Sequence, residues 1–272
     1  MVAFLALLAI AYGSDSARFY DSVALQGFGD LRRPLVERLS VRIAGLADPK
    51  PVLLIAGALI ATALARRRPR HALGVAVLIA GANLTTEILK PLLAVSRPPD
   101  PGVPTNVGVN AFPSGHATAA MSLAIAAILV TPARLRPLAA LLGGLFPLSV
   151  SYSLLSLGVH FPSDVLGGYL VAAGWAFLVI AALLAAAERW PERTGRHAAK
   201  RALDRRFAAG AVTGMILAAA VAVAFGLEEL LPRLDRVAGY AERHTAAVLV
   251  GAAIAAAAAA VLASVTLSAR RR

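Results

Sequence analysis

The 272-residue chain contains no cysteine, which excludes disulfides, thiolate metal sites and a cysteine nucleophile. It is also poor in charge, at 15%, and in aromatic residues, at 6%. No internal repeat and no Pro/Gly-rich linker divides it. What fills the chain instead is apolar: 58% hydrophobic residues and a mean hydropathy of +0.72, where soluble domains are roughly half apolar. The few charges cluster between long apolar runs. That pattern belongs to a polytopic helical membrane protein, because helices satisfy their own backbone groups where no water is available.

The net charge of +12 would suit a nucleic-acid binder if it formed a patch. Here the arginines stand in short blocks at the ends of apolar segments, so membrane topology accounts for them and no nucleic-acid partner is expected. A span needs about 20 residues. Apolar runs predict helices over 1–14, 50–66, 71–90, 114–131, 137–155, 163–187, 207–226 and 245–268. The first run, Met1 to Tyr12, has no basic residue before it, unlike a signal peptide, and reads as a shortened first span. Arg66, Arg67, Arg68 and Arg70, then Arg134 and Arg136, then the basic stretch 188–206, then Arg270, Arg271 and Arg272 all fall on one side of eight spans. The positive-inside rule makes that side cytoplasmic.

Residues 15–49 mix apolar positions (Phe19, Val23, Leu31, Leu35, Val36, Leu39, Ile43) with Arg18, Arg32, Arg33, Arg38 and Arg42. They read either as an amphipathic helix pair in the outer interface or as an ordered loop capping the bundle. The expected organisation is a membrane core over 1–187, a basic cytoplasmic loop over 188–206, and two additional transmembrane helices over 207–272. Ala255 to Ala260 is low in complexity, but small residues allow close helix packing in lipid.

Three polar clusters converge on the face opposite the arginines. Lys90 and Arg97 follow the third span and offer two cations, the arginine as a planar fork for phosphate oxygens. Pro113, Ser114, Gly115 and His116 open the fourth span. Ser114 is a natural N-cap, and the free N–H groups there form an anion site. His160 and Asp164 lie between the fifth and sixth spans, four residues apart and so on one helical face. A carboxylate on Nδ1 of His160 would fix the tautomer and leave Nε2 free to attack phosphorus. Glu87, three residues before Lys90, is placed to neutralise and position that lysine. His71, His197 and His244 receive no role.

At matching positions these residues resemble the type-2 phosphatidic acid phosphatase superfamily, whose signature runs Lys-x6-Arg-Pro, Pro-Ser-Gly-His, then Ser-Arg-x5-His-x3-Asp. Here the first reads Lys90 to Pro98, the second Pro113 to His116, and the third Ser153-Leu154-x5-His160-x3-Asp164. The resemblance implies an all-α transmembrane bundle: a six-helix phosphatase core, here with two extra C-terminal helices. It implies that His160 forms a phosphohistidine, oriented by Asp164, and that His116 is general acid and then base. Lys90, Arg97, Ser114 and Gly115 would hold the phosphoryl oxygens, with Pro113, Ser153 and Glu87 in support. No metal or other cofactor is implied.

One position departs from the signature: Leu154 stands where the family has a second phosphate-binding arginine. Losing such donors could cost several kcal/mol of transition-state stabilisation, unless Arg18, Arg32, Arg33 or Arg233 substitutes. The expected activity is hydrolysis of a lipid phosphomonoester or pyrophosphate, a polyprenyl one by family habit, at the outer face of a bacterial inner membrane. Phosphatidic acid and phosphatidylglycerol phosphate stand close behind. A phosphotransferase with the same intermediate and a non-catalytic lipid-binding homologue are the other readings. The sequence leaves the oligomeric state undetermined.

Overall fold

The structure is a computed structural model, and it describes residues 2–95, 106–189 and 234–270. The predicted seventh span, most of the basic stretch 188–206, Arg97 and Arg233 lie outside the described residues. Ten α-helices are described: α1 (Val2–Gly13), α2 (Asp15–Asp30), α3 (Pro34–Gly45), α4 (Pro49–Ala65), α5 (Pro69–Leu92), α6 (Gly115–Val130), α7 (Arg136–Leu157), α8 (Pro162–Arg189), α9 (Leu234–Arg243) and α10 (Thr245–Arg270). A 3-10 turn at Ala133–Leu135 leads into α7.

Local chemistry explains where these helices begin and end. Proline occupies the first positions of α3, α4, α5 and α7, where its missing N–H would have no intrahelical partner. Ser14 and Ser114 cap α2 and α6 by accepting from Ala17 N and Ala117 N, each at 3.3 Å. Gly158 ends α7 in the left-handed conformation, with φ 70°, which a glycine adopts without steric penalty.

α6 is the axis of the bundle. Thirteen of its 16 residues are buried, so it has no lipid- or water-facing side. α4, α5, α7, α8 and α10 pack around it. The outward faces of those helices are apolar: Leu53, Leu54, Leu73 and Leu249 are 65–76% exposed. Such a belt is untenable in water and suited to acyl chains. The chain is a multi-pass membrane protein. Pro69–Leu92, Ala133–Leu157, Pro162–Arg189 and Thr245–Ala269 are each long and apolar enough to cross a bilayer.

Two predicted spans belong to bent helix pairs, each long and apolar enough as a pair to form one broken span. α1 has 12 residues, about 18 Å of helix at 1.5 Å per residue, too short for a hydrocarbon core of about 30 Å. It turns by 88° into α2, and α3 turns by 53° into α4. α1 packs against α8 and reaches Phe112 through Phe4 and Tyr12, with ring centroids 5.7 and 5.6 Å apart.

Contacts fix the direction of each helix. Arg66 at the end of α4 donates to Val130 O at the end of α6, at 2.5 Å. Arg70 at the start of α5 donates to Ala186 O in α8, at 3.4 Å. Arg136 donates to Thr131 O and to Ala269 O near the end of α10. These arginines therefore share one end of the bundle. α10 starts at the opposite end, where Gly27 and His244 meet and Tyr240 donates to Gly27 O at 2.8 Å. It is no loose appendage: Ile254, Ala258, Leu262 and Val265 are buried in the same core as α6 and α8.

Candidate active site

The three polar clusters meet at the end of the bundle away from the arginine blocks. His160 sits in the short turn between α7 and α8, and Asp164 in the first turn of α8. His160 Nδ1 is 3.5 Å from Asp164 Oδ2, longer than a hydrogen bond, and this buried nitrogen has no hydrogen-bond partner among the described residues. Asp164 is fully buried, and the same oxygen accepts from Phe161 N at 2.8 Å. A buried carboxylate needs such partners, since leaving it unpaired would be prohibitively costly.

The second cluster is tied to the third through the backbone. Ser114 N donates to Asp164 O at 2.9 Å, so the start of α6 and the start of α8 are one structural unit. Thr118 Oγ1 donates to Ser114 O at 2.9 Å. Gly168 makes this approach possible: a Cβ there would lie 2.6 Å from Ser114 O and 3.0 Å from Thr118 N. Beneath the loop, Phe112 and Pro113 are buried against Gly167. α1 closes over Phe112, and Tyr12 donates to Leu93 O at 3.2 Å.

His116, in the first turn of α6, faces His160 with ring centroids 6.4 Å apart. One phosphoryl group between the rings would touch both. Lys90 approaches the same helix start: its Nζ would lie 3.0 Å from a Cβ at position 115, so Gly115 leaves the lysine room beside the helix N-terminus. Lys90 also pairs with Glu87, Nζ to Oε1 at 2.5 Å. The structure thus gathers His160, Asp164, His116, Ser114, Gly115, Lys90, Glu87 and Pro113 at one place. Ser153 is buried one turn back on α7. Arg97 lies outside the described residues.

Leu154 has a clear structural setting. It is 1% exposed and packs with Ala44, Ala47, Ala120 and Val150, which α3, the turn after it, α6 and α7 contribute. The helix α3 thus presses small apolar residues onto the position where the resemblance places an arginine. Of the proposed substitutes, Arg18 is engaged by Asp15 and Arg33 is exposed and donates to Arg32 O. Arg32 turns onto the last turn of α7, donating to Ser156 O from Nε and Nη2 at 3.1 and 3.0 Å.

Two acidic residues of the site region escaped the sequence reading. Asp48 Oδ1 lies 3.1 Å from His116 Nε2. Asp21 of α2 accepts from Ser163 N at 3.2 Å and from Ser163 Oγ at 2.5 Å, capping α8 from a distance just before Asp164. Both contacts span long separations in the chain, 68 and 142 residues, and neither acid stands in a recognisable motif. Among the described residues no group of three or more His, Asp or Glu side chains is gathered as a metal site.

Chemically, the site presents an imidazole beside a buried carboxylate, a second imidazole across a narrow gap, a lysine, and a helix N-terminus. That set suits nucleophilic attack on an anionic centre with proton transfer to and from its oxygens. The class defined by fold and site is a helical membrane bundle with a two-histidine, anion-receiving centre at one membrane face.

Residues 71–188, from the start of α5 to the end of α8, match the sequence model of the PAP2 superfamily. The matched span contains every motif residue named above. The fold is similar to the crystal structure of the first transmembrane PAP2 type phosphatidylglycerolphosphate phosphatase from Bacillus subtilis. The two share 22% identity and a TM-score of 0.59, over 71% of this chain and 96% of that one. No curated protein matches the sequence at a significant level.

Proposed function

We propose that this protein is a membrane lipid phosphatase that hydrolyses a phosphomonoester or pyrophosphate through a phosphohistidine on His160. The observation that carries the reading is the 3.5 Å approach of His160 Nδ1 to the fully buried Asp164, opposite His116. With Nδ1 turned to the carboxylate, Nε2 is the nitrogen left to attack. Phosphorus bonds to Nε2, the bond to the leaving oxygen breaks, and His116 gives that oxygen a proton. Water then attacks the phosphohistidine, His116 takes its proton, the phosphorus–nitrogen bond breaks and phosphate departs. Lys90, Ser114, the Gly115 amide and Arg97 hold the phosphoryl oxygens, and the helix dipole of α6 adds to their field.

The substrate is a lipid, since the site lies at the edge of an apolar belt. A polyprenyl phosphate or pyrophosphate is the favoured class. Phosphatidylglycerol phosphate, on which the Bacillus subtilis neighbour acts by its title, and phosphatidic acid are the competitors. The face is the outer one of a bacterial inner membrane: Arg66, Arg70 and Arg136 mark the far end of the bundle, and basic ends stay cytoplasmic. Because the chain has no cysteine, a single Asn110→Cys substitution at this exposed end tests the orientation. Intact cells should label it with a membrane-impermeant maleimide; labelling only after lysis would put the site inside.

The deciding assay compares wild type with His160→Ala on a panel of polyprenyl diphosphate, phosphatidic acid and phosphatidylglycerol phosphate. Wild type should release phosphate from at least one and the variant from none. Equal release by both would end the phosphatase reading. A lipid or sugar acceptor added to the same assay separates hydrolysis from phosphotransfer, which would lower phosphate release as acceptor rises.

A further inference from the structure

We infer that Asp48 is a positioning residue for His116, giving the proton-transferring imidazole its own carboxylate. The inference deepens the phosphatase reading and takes the role of His116 from it; the contact itself is independent of that role. Asp48 stands in the bend between α3 and α4, directly before Pro49. An aspartate there ordinarily caps its own helix by accepting from the N–H of the second or third helical residue. Asp48 makes no such bond.

The sequence of α4 explains why. Its first three residues are Pro49, Lys50 and Pro51, and proline has no N–H. The third-position donor is therefore missing, and only Lys50 could serve. The Asp48 carboxylate turns instead across the chain and meets His116 Nε2 at 3.1 Å. The 53° bend between α3 and α4 carries it to the start of α6.

The surroundings of the imidazole define what this carboxylate does. His116 faces Asp48 from α4 and His160 from the turn before α8, with Asp164 behind that histidine. From α5 come Lys90, beside Gly115, and Glu87 paired with it. Burial favours the neutral ring of His116, and the Asp48 carboxylate in hydrogen-bond contact opposes it, favouring the protonated form that gives a proton to the leaving oxygen. Asp48 acts through the imidazole and exchanges no proton with substrate. Its side chain is 56% exposed, whereas Asp164 is fully buried, so its influence is partly screened by water.

The test uses the full-length protein in detergent micelles and reads His116 directly. The pH at which diethyl pyrocarbonate modifies half of His116, scored by peptide mass spectrometry, should fall in Asp48→Asn. His244, near Asp30 at 3.4 Å, is the internal reference and should not move. An unchanged His116 midpoint overturns the inference. A second arm follows phosphate release from phosphatidic acid and farnesyl diphosphate. Here kcat should fall about tenfold with KM nearly constant, and Asp48→Glu should recover part of it. A change confined to KM would count against positioning. If wild type and His160→Ala release phosphate equally, the phosphatase reading fails while the labelling arm still decides on Asp48. Should the asparagine variant not accumulate, Asp48→Ser, which keeps a capping side chain, gives the same readout.

Discussion

His160 and His116 each face a carboxylate, but the two pairs are built differently. Asp164 lies only four residues beyond His160, in the first turn of α8, is sealed from solvent, and is held by Phe161 N. Asp48 reaches His116 from a separate helix bend and stays more than half exposed. The contrast follows the chemistry proposed for each ring. A nucleophile that must carry a phosphoryl group gains from a fixed tautomer and a low-dielectric partner. A ring that gives and retakes a proton in each cycle is better served by a wetter, exchangeable neighbour.

The most damaging way to break this comparison is at the buried pair. Asp164→Asn should lower kcat by roughly 10³- to 10⁴-fold, measured as lipid phosphate release, far more than the tenfold expected at Asp48. Similar losses at both sites would erase the distinction between the pairs. The backbone frame beneath them is next. Gly168→Ala places a methyl 2.6 Å from Ser114 O, and should cost about 1–3 kcal/mol in thermal unfolding of the detergent-solubilised protein. Activity should fall with it, since Ser114 is bonded to Asp164.

Leu154→Arg tests whether the missing arginine is a simple vacancy for a donor. Leu154 is packed among Ala44, Ala47, Ala120 and Val150, so a guanidinium there is expected to lower the melting temperature instead of raising turnover. Higher kcat with unchanged melting would show that the pocket had room for the donor. The smallest effect belongs to the exposed edge. Glu87→Gln frees Lys90 from a pair whose acid is 63% exposed. KM should fall by less than about fivefold, as exposed ion pairs are worth about 0–1 kcal/mol.

Much of the fold is legible in one dimension because lipid imposes a single simple rule. Apolar runs placed the helices at 50–66, 71–90, 114–131, 137–155, 163–187 and 245–268 close to α4, α5, α6, α7, α8 and α10. Ser114 announced its cap and Gly158 ends α7 as a glycine after an apolar run does. The 88° turn after α1 has no mark in composition, which does not distinguish a straight short span from one arm of a bent pair. The segment of α3 read either as an interface helix or as a loop capping the bundle, and its contact with Leu154 depends on which face it turns to α7.

Asp48, Asp21 and Gly168 had no local signature. Asp48 before a proline reads as a helix cap, and only the missing N–H of Pro51 hints that the carboxylate is free for another partner. Gly168 is one glycine among 22, and its importance comes from Ser114 O passing close by. Residue identity and spacing alone pointed to the membrane class, most of the described helices and the candidate residues for phosphoryl chemistry, because those follow from local hydropathy and intrinsic chemistry. Only the tertiary structure decided which carboxylate meets which imidazole, which acid is buried, and why Leu154 is leucine. Those properties arise where helices distant in sequence touch, and close packing, unlike hydropathy, leaves no periodic trace in the chain.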